Sequence, residues 1–233
     1  MKKKFLLPIL SVCMVVALVS VGFAAWLITG NDTSGAQGNF VTHDVTNEYF
    51  TASASTADGK IEFGKGTATT TNGTPWFNFD GDSQEKLTAT FTVKVTPDVA
   101  ENLDTVLGKN NIKVTLKAQD NAYDNAVTKG IVAYPEIACG ETNKATAENL
   151  VTGVSITLTK TNFNASGEAT VTVTFKWGAN GNPYTYYNNT YETAKVAGQT
   201  VRSNATTALN TLHELSNDKY DIALEVVPVT PGV

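Results

Sequence analysis

"LTATFTVKVT", residues 87–96, alternates without a break: Leu87, Ala89, Phe91, Val93 and Val95 on one side, Thr88, Thr90, Thr92, Lys94 and Thr96 on the other. A period of two is the pleat of a strand with one dry face and one wet face. The pattern recurs in "IKVTLKA" (Ile112, Val114, Leu116, Ala118) and in "VSITLT" (Val154, Ile156, Leu158). It recurs again in "ATVTVTFKW" (Ala169, Val171, Val173, Phe175, Trp177) and in "YDIALEVV" (Tyr220, Ile222, Leu224, Val226). Five half-polar strands predict antiparallel sheets packed on one side and solvated on the other. "KIEFGK", "TPWFNF" and "GIVAYPEI" add shorter candidates. The expected fold is all-β: an antiparallel two-sheet sandwich of jelly-roll type, with two short helical insertions. The first insertion takes Thr96-Pro97-Asp98 as its cap and first turn, carries the stripe Val99, Leu103, Val106 and Leu107, and ends at Gly108. The second covers residues 204–215 with Leu209 and Leu212 on one side.

Composition agrees. Threonine (35 residues) and asparagine (21) dominate the polar set, the one suited to pleated surfaces and the other to turns. The net charge is −5, there is a single arginine (Arg202), and no basic patch is available for nucleic acid. Of two cysteines, Cys13 lies in the leader, so a processed chain keeps Cys139 alone and has no intramolecular disulfide.

The leader is Lys2-Lys3-Lys4 followed by an apolar run, with Ala24 and Ala25 as the small residues at which a signal peptidase would cut. Residues 5–29 also carry no charge and are long enough for an uncleaved anchor. The expected organisation is a signal peptide over residues 1–25 (or that anchor over 5–29), a flexible N-terminal arm and linker over 26–38, and a single sandwich domain over 39–233. In both cases the body is exported, and the C-terminal "VVPVTPGV" adds no second anchor. The arm begins with the apolar Trp26-Leu27-Ile28, detached from the domain by the glycine-rich "GNDTSGAQG".

Chemistry-bearing motifs are few. His213-Glu214 begins the pattern of a zinc-peptidase helix, but Asn217 stands where the second imidazole is required. Asp80 and Asp82 alternate as calcium ligands do; Gln84 and Glu85 then break the EF-hand spacing, and a D-G turn between strands is the favoured reading. No catalytic residue and no cofactor is expected. "WGANGNPYTYYNNTYE" gathers Tyr184, Tyr186, Tyr187 and Tyr191 among amides, a composition that suits a surface glycan or a protein partner. An adhesin or glycan-binding module is thus the alternative to a structural role.

The leader "MKKKFLLPILSVCMVVALVSVGFAAW" together with the Thr-rich alternating body resembles the TasA and camelysin (CalY) group of exported Firmicute surface and biofilm-matrix proteins. That resemblance implies export through a dedicated SipW-type signal peptidase and a secreted or cell-surface location in a Gram-positive bacterium. It implies a fibre subunit that self-associates, one copy's N-terminal arm completing the next copy's sheet by strand addition. Here the arm would comprise Trp26, Leu27 and Ile28, with Phe40, Val41 and Val45 following. The chain departs from the group by placing Trp26-Leu27-Ile28-Thr29-Gly30 before Asn31-Asp32.

Overall fold

The computed structural model describes residues 36–47, 49–56, 60–63, 66–71, 74–79, 85–98, 100–179, 181–182, 211, 214–215 and 219–229, with side chains outside 36–37 and 66–79. Strands dominate, as the alternation predicts. The thirteen among the described residues are β1 (Ala36–His43), β2 (Val45–Thr46), β3 (Phe50–Thr56), β4 (Lys60–Phe63), β5 (Gly66–Thr71), β6 (Thr74–Phe79) and β7 (Thr88–Pro97), then β8 (Asn110–Ala118), β9 (Val132–Cys139), β10 (Asn143–Thr146), β11 (Val154–Leu158), β12 (Glu168–Trp177) and β13 (Lys219–Pro228). Two α-helices are described in full among them, α1 (Leu103–Lys109) and α2 (Ala122–Thr128).

One sheet runs β11-β8-β13-β1-β4 and the other β10-β9-β12-β7-β3-β2, while β5 and β6 form a separate two-stranded ribbon. Among the described residues every ladder is antiparallel except that of β1 with β13, which is parallel. The chain passes back and forth between the two large sheets, and their dry faces close on a shared core. On β7 the apolar members Ala89, Phe91, Val93 and Val95 are buried while Thr88, Thr90, Thr92 and Lys94 are exposed. The same holds for Ile112, Val114, Leu116 and Ala118 on β8 and for Ala169, Val171, Val173 and Phe175 on β12. Phe175 is the hub between the sheets, its ring centroid 5.1 Å from Tyr220 and 5.4 Å from Tyr123, with Phe40 and Phe63 each at 6.2 Å. Tilted and edge-to-face pairs at such separations add to the area that the rings bury.

The helices sit elsewhere than the sequence pattern suggests. Thr96 and Pro97 do not cap a helix; they pair with Thr51 and Phe50 and extend β7. Helix α1 starts six residues later than that reading, capped by Asn102, whose side chain accepts from the Asp104 N–H at 2.8 Å. Gly108 lies inside its last turn rather than beyond it. The stripe is partly right, since Val106 and Leu107 are buried. Helix α2 was not expected; Tyr123 and Ala126 carry its buried face. Of the second predicted helix only Thr211, Glu214 and Leu215 are described: Thr211 and Glu214 are helical, and Thr211 and Leu215 are buried.

Candidate functional site

The first described strand is an interior one. β1 lies between β13 and β4, with Asn39 opposite Lys219 and His43 opposite Ala223 on one side, and Ala36 opposite Phe63 on the other. Residues 36–38, which the sequence pattern assigns to the linker, are therefore strand. Gly38 is required there. A Cβ at this position would overlap the Tyr220 ring and stand 3.1 Å from Ile61 Cγ1. Phe40 then turns into the core, 5.0 Å from Phe91 and 5.6 Å from Tyr220 between ring centroids. Val41 faces outward and is 38% exposed. At the strand's end His43 Nε2 lies 3.3 Å from Asp221 Oδ1, an atom that also accepts from Gln119 Nε2 at 3.1 Å. Val45 pairs with Ala52 in the other sheet, so the chain changes sheets at Asp44. Phe40 and Val45, assigned by sequence to an assembly arm, thus pack against this subunit's own core.

That crossing leaves a gap. β13 continues to Pro228 against β8, but β1 accompanies it only as far as Ala223. No described strand flanks residues 225–228 on the side where β1 has ended. Val229 N–H bonds to Lys109 O at 2.8 Å and Gln119 N–H to Lys219 O at 3.0 Å, so the odd-numbered peptide groups of β13 face β8. The register with β8 is unbroken, hence the N–H and C=O of Val226 face the open side. A groove of about 650 Å³ opens at this pole, with Val106, Val226, Pro228 and Tyr49 as its apolar wall and Glu101 and Lys109 at its rim. Tyr49 is 47% exposed. The outermost strands elsewhere are short: β2 has two residues, β4 and β10 four each, and β11 five. Short edges are how native sheets avoid unwanted pairing. The open run on β13 belongs instead to a strand of ten residues.

Other ionisable groups serve the fold. Burial pushes the Cys139 thiol up, against a hydrogen bond with Asn162 that pulls it down, and a raised thiol is a poor nucleophile. Tyr134 is raised by burial and then by Asp124, whose carboxylate also accepts from the Leu150 N–H at 2.8 Å. Glu168 is lowered, first by its hydrogen bond from Lys94 at 3.0 Å and then by that ammonium's charge. Among the described residues no three His, Cys, Asp or Glu gather closely enough to hold a metal ion, and no helix is long and apolar enough to cross a membrane. Ala24, Ala25, Trp26, Leu27, Ile28, Asp80, Asp82, Tyr184, Tyr186, Tyr187, Tyr191 and His213 lie outside the described residues.

Sequence reasoning had no ready way to find this pole. It is built from a tyrosine in a short turn, two residues late in a strand and one helix face, which only the fold brings together.

Comparison of the chain with family models, curated proteins and solved structures finds no match.

Proposed function

We propose that the protein is an exported structural subunit, a building block of extracellular matrix or biofilm fibres that assembles through its N-terminal segment. The observation that carries this reading is the seat of β1. The first described strand is held in the middle of a sheet by Gly38 and Phe40, so its first residue, Ala36, stands at a fixed pole of the subunit. At the other pole of the same sheet no described strand flanks the last residues of β13 on the side where β1 has ended. A subunit with an arm at one end and an open edge at the other has the parts for strand addition. The alternation of the chain between two sheets supports the finer description of the fold as a jelly-roll sandwich.

On this reading the leader is removed near Ala24 and Ala25 by a SipW-type peptidase, Trp26-Leu27-Ile28 becomes the free tip, and the protein is neither enzyme nor cofactor carrier. The test is to recover the exported protein from its native host. The expected result is fibres under the electron microscope whose subunits begin at or close to Trp26. A chain that keeps its leader, or that stays monomeric at every concentration and pH tried, overturns the proposal.

A further inference from the structure

We infer that the groove between α1, the β2–β3 turn and the late end of β13 binds a neutral glycan built of N-acetylated amino sugars. Its ligand is a small molecule rather than a second copy of the chain, so the site is independent of the proposed assembly.

The charged groups of the groove narrow the ligand class. Glu101 and Lys109 line it, and among the described residues neither has an ion-pair partner. Glu101 precedes α1 and Lys109 ends it, with roughly 10 Å of helix axis between them. A small zwitterion is too short to meet both charges, and a fatty chain offers nothing to either. An anionic ligand would face Glu101 and a chain of net charge −5, and a cationic one would face Lys109. Sugar hydroxyls each donate and accept, so one uncharged polyol accepts from the ammonium and donates to the carboxylate.

Two amides in the groove are held ready by the main chain. Asn47 Oδ1 accepts from the Tyr49 and Phe50 N–H groups, both at 2.9 Å, which fills that oxygen and leaves Nδ2 as a donor. Asn110 Nδ2 donates to Val106 O at 3.1 Å, which leaves Oδ1 as an acceptor. Both residues line the groove, and neither leftover atom has a partner among the described residues. An acetamido group asks for this set: a donor for its carbonyl, an acceptor for its N–H, and an apolar surface for its methyl. Val106 is that surface. Because both amides are already fixed, binding freezes little further rotation.

The Tyr49 ring supplies the platform. It is 47% exposed at the groove, and an open aromatic face packs against the C–H face of a pyranose ring. The volume of about 650 Å³ falls within the roughly 300–1,000 Å³ of small-ligand sites.

The test is a calorimetric titration of N-acetylated chitotriose onto the freshly prepared, monomeric chain that begins at Trp26. Saturable binding is expected. Cellotriose, which has the same linkage without the acetamido groups, should bind about tenfold or more weakly, since it leaves the two amides unmet. Tyr49→Ala should weaken chitotriose about tenfold or more, whereas Tyr49→Trp, which keeps a platform, should hold it within about threefold. A circular-dichroism melt matching that of the unsubstituted chain shows each variant folded. Failure of chitotriose to bind, equal binding of the two sugars, or unchanged binding to folded Tyr49→Ala overturns the inference. Later sedimentation of the same chain keeps this site and the assembly reading apart. Sugar binding by a chain that never forms fibres leaves the site standing and overturns the fibre reading. Fibres from a chain that takes up no sugar while monomeric do the reverse.

Discussion

Gly38 and Glu168 mark two kinds of constraint that a single side chain places on this fold. At Gly38 the issue is space: the buried Tyr220 ring occupies the position a Cβ would take. Gly38→Ala must push that ring or the β1 backbone aside, a cost of about 1–3 kcal/mol for an overpacked interior site. Urea denaturation should show the lowered midpoint, and an unchanged midpoint would mean that β1 does not lie against Tyr220. At Glu168 the issue is charge. The Lys94 ammonium holds this carboxyl below the usual glutamate range near ~4.3. A carboxyl lowered on folding contributes stability that is complete above its unfolded pKa and is lost as the pH falls through the folded value. Lys94→Met should therefore raise the Glu168 midpoint, followed by carboxyl NMR, back toward ordinary glutamate and flatten the acid dependence of stability. A midpoint that stays put would assign the shift to something other than Lys94.

At the scale of elements, helix α1 depends on its cap. Asn102 supplies a side-chain acceptor for its first turn, and Asn102→Ala should lower stability by about 1 kcal/mol in thermal or chemical melts. A neutral effect would show that packing of Val106 and Leu107 alone holds the helix. The same helix shows why some elements were legible and others not. Strands β7, β8, β11, β12 and β13 could be read directly, because each alternates Val, Ile, Leu or Phe with polar residues. β3 hid because its buried positions after Phe50 are only Ala52 and Ala54, whose small side chains carry little hydrophobic signal. Thr96-Pro97-Asp98 misled because threonine and proline also suit a strand end, and the ladder with β3 outweighs a local capping preference. The first three residues of β1 read as linker because Gly38 closes a glycine-rich run, until the ring of Tyr220 is placed over that glycine.

For the whole molecule, the parallel pairing of the first described strand with the last is the arrangement from which the functional account follows. Packing of the two sheets through Phe175, Tyr220, Phe91 and Phe40 makes the core of this body, and Cys139 is buried as a free thiol. β1 begins at one pole, and the end of β13 that no described strand accompanies on one side lies at the other. No local motif encodes that opposition; it arises from the register of two segments about 180 residues apart in sequence, as the span from His43 to Asp221 shows. The most direct test removes residues 26–35 and leaves β1 whole, starting the mature chain at Ala36. Sedimentation and electron microscopy then compare it with the chain that starts at Trp26. The account predicts fibres from the longer chain and only folded monomer, with an unchanged β spectrum, from the shorter one. Fibres of equal yield from the chain beginning at Ala36 would contradict it.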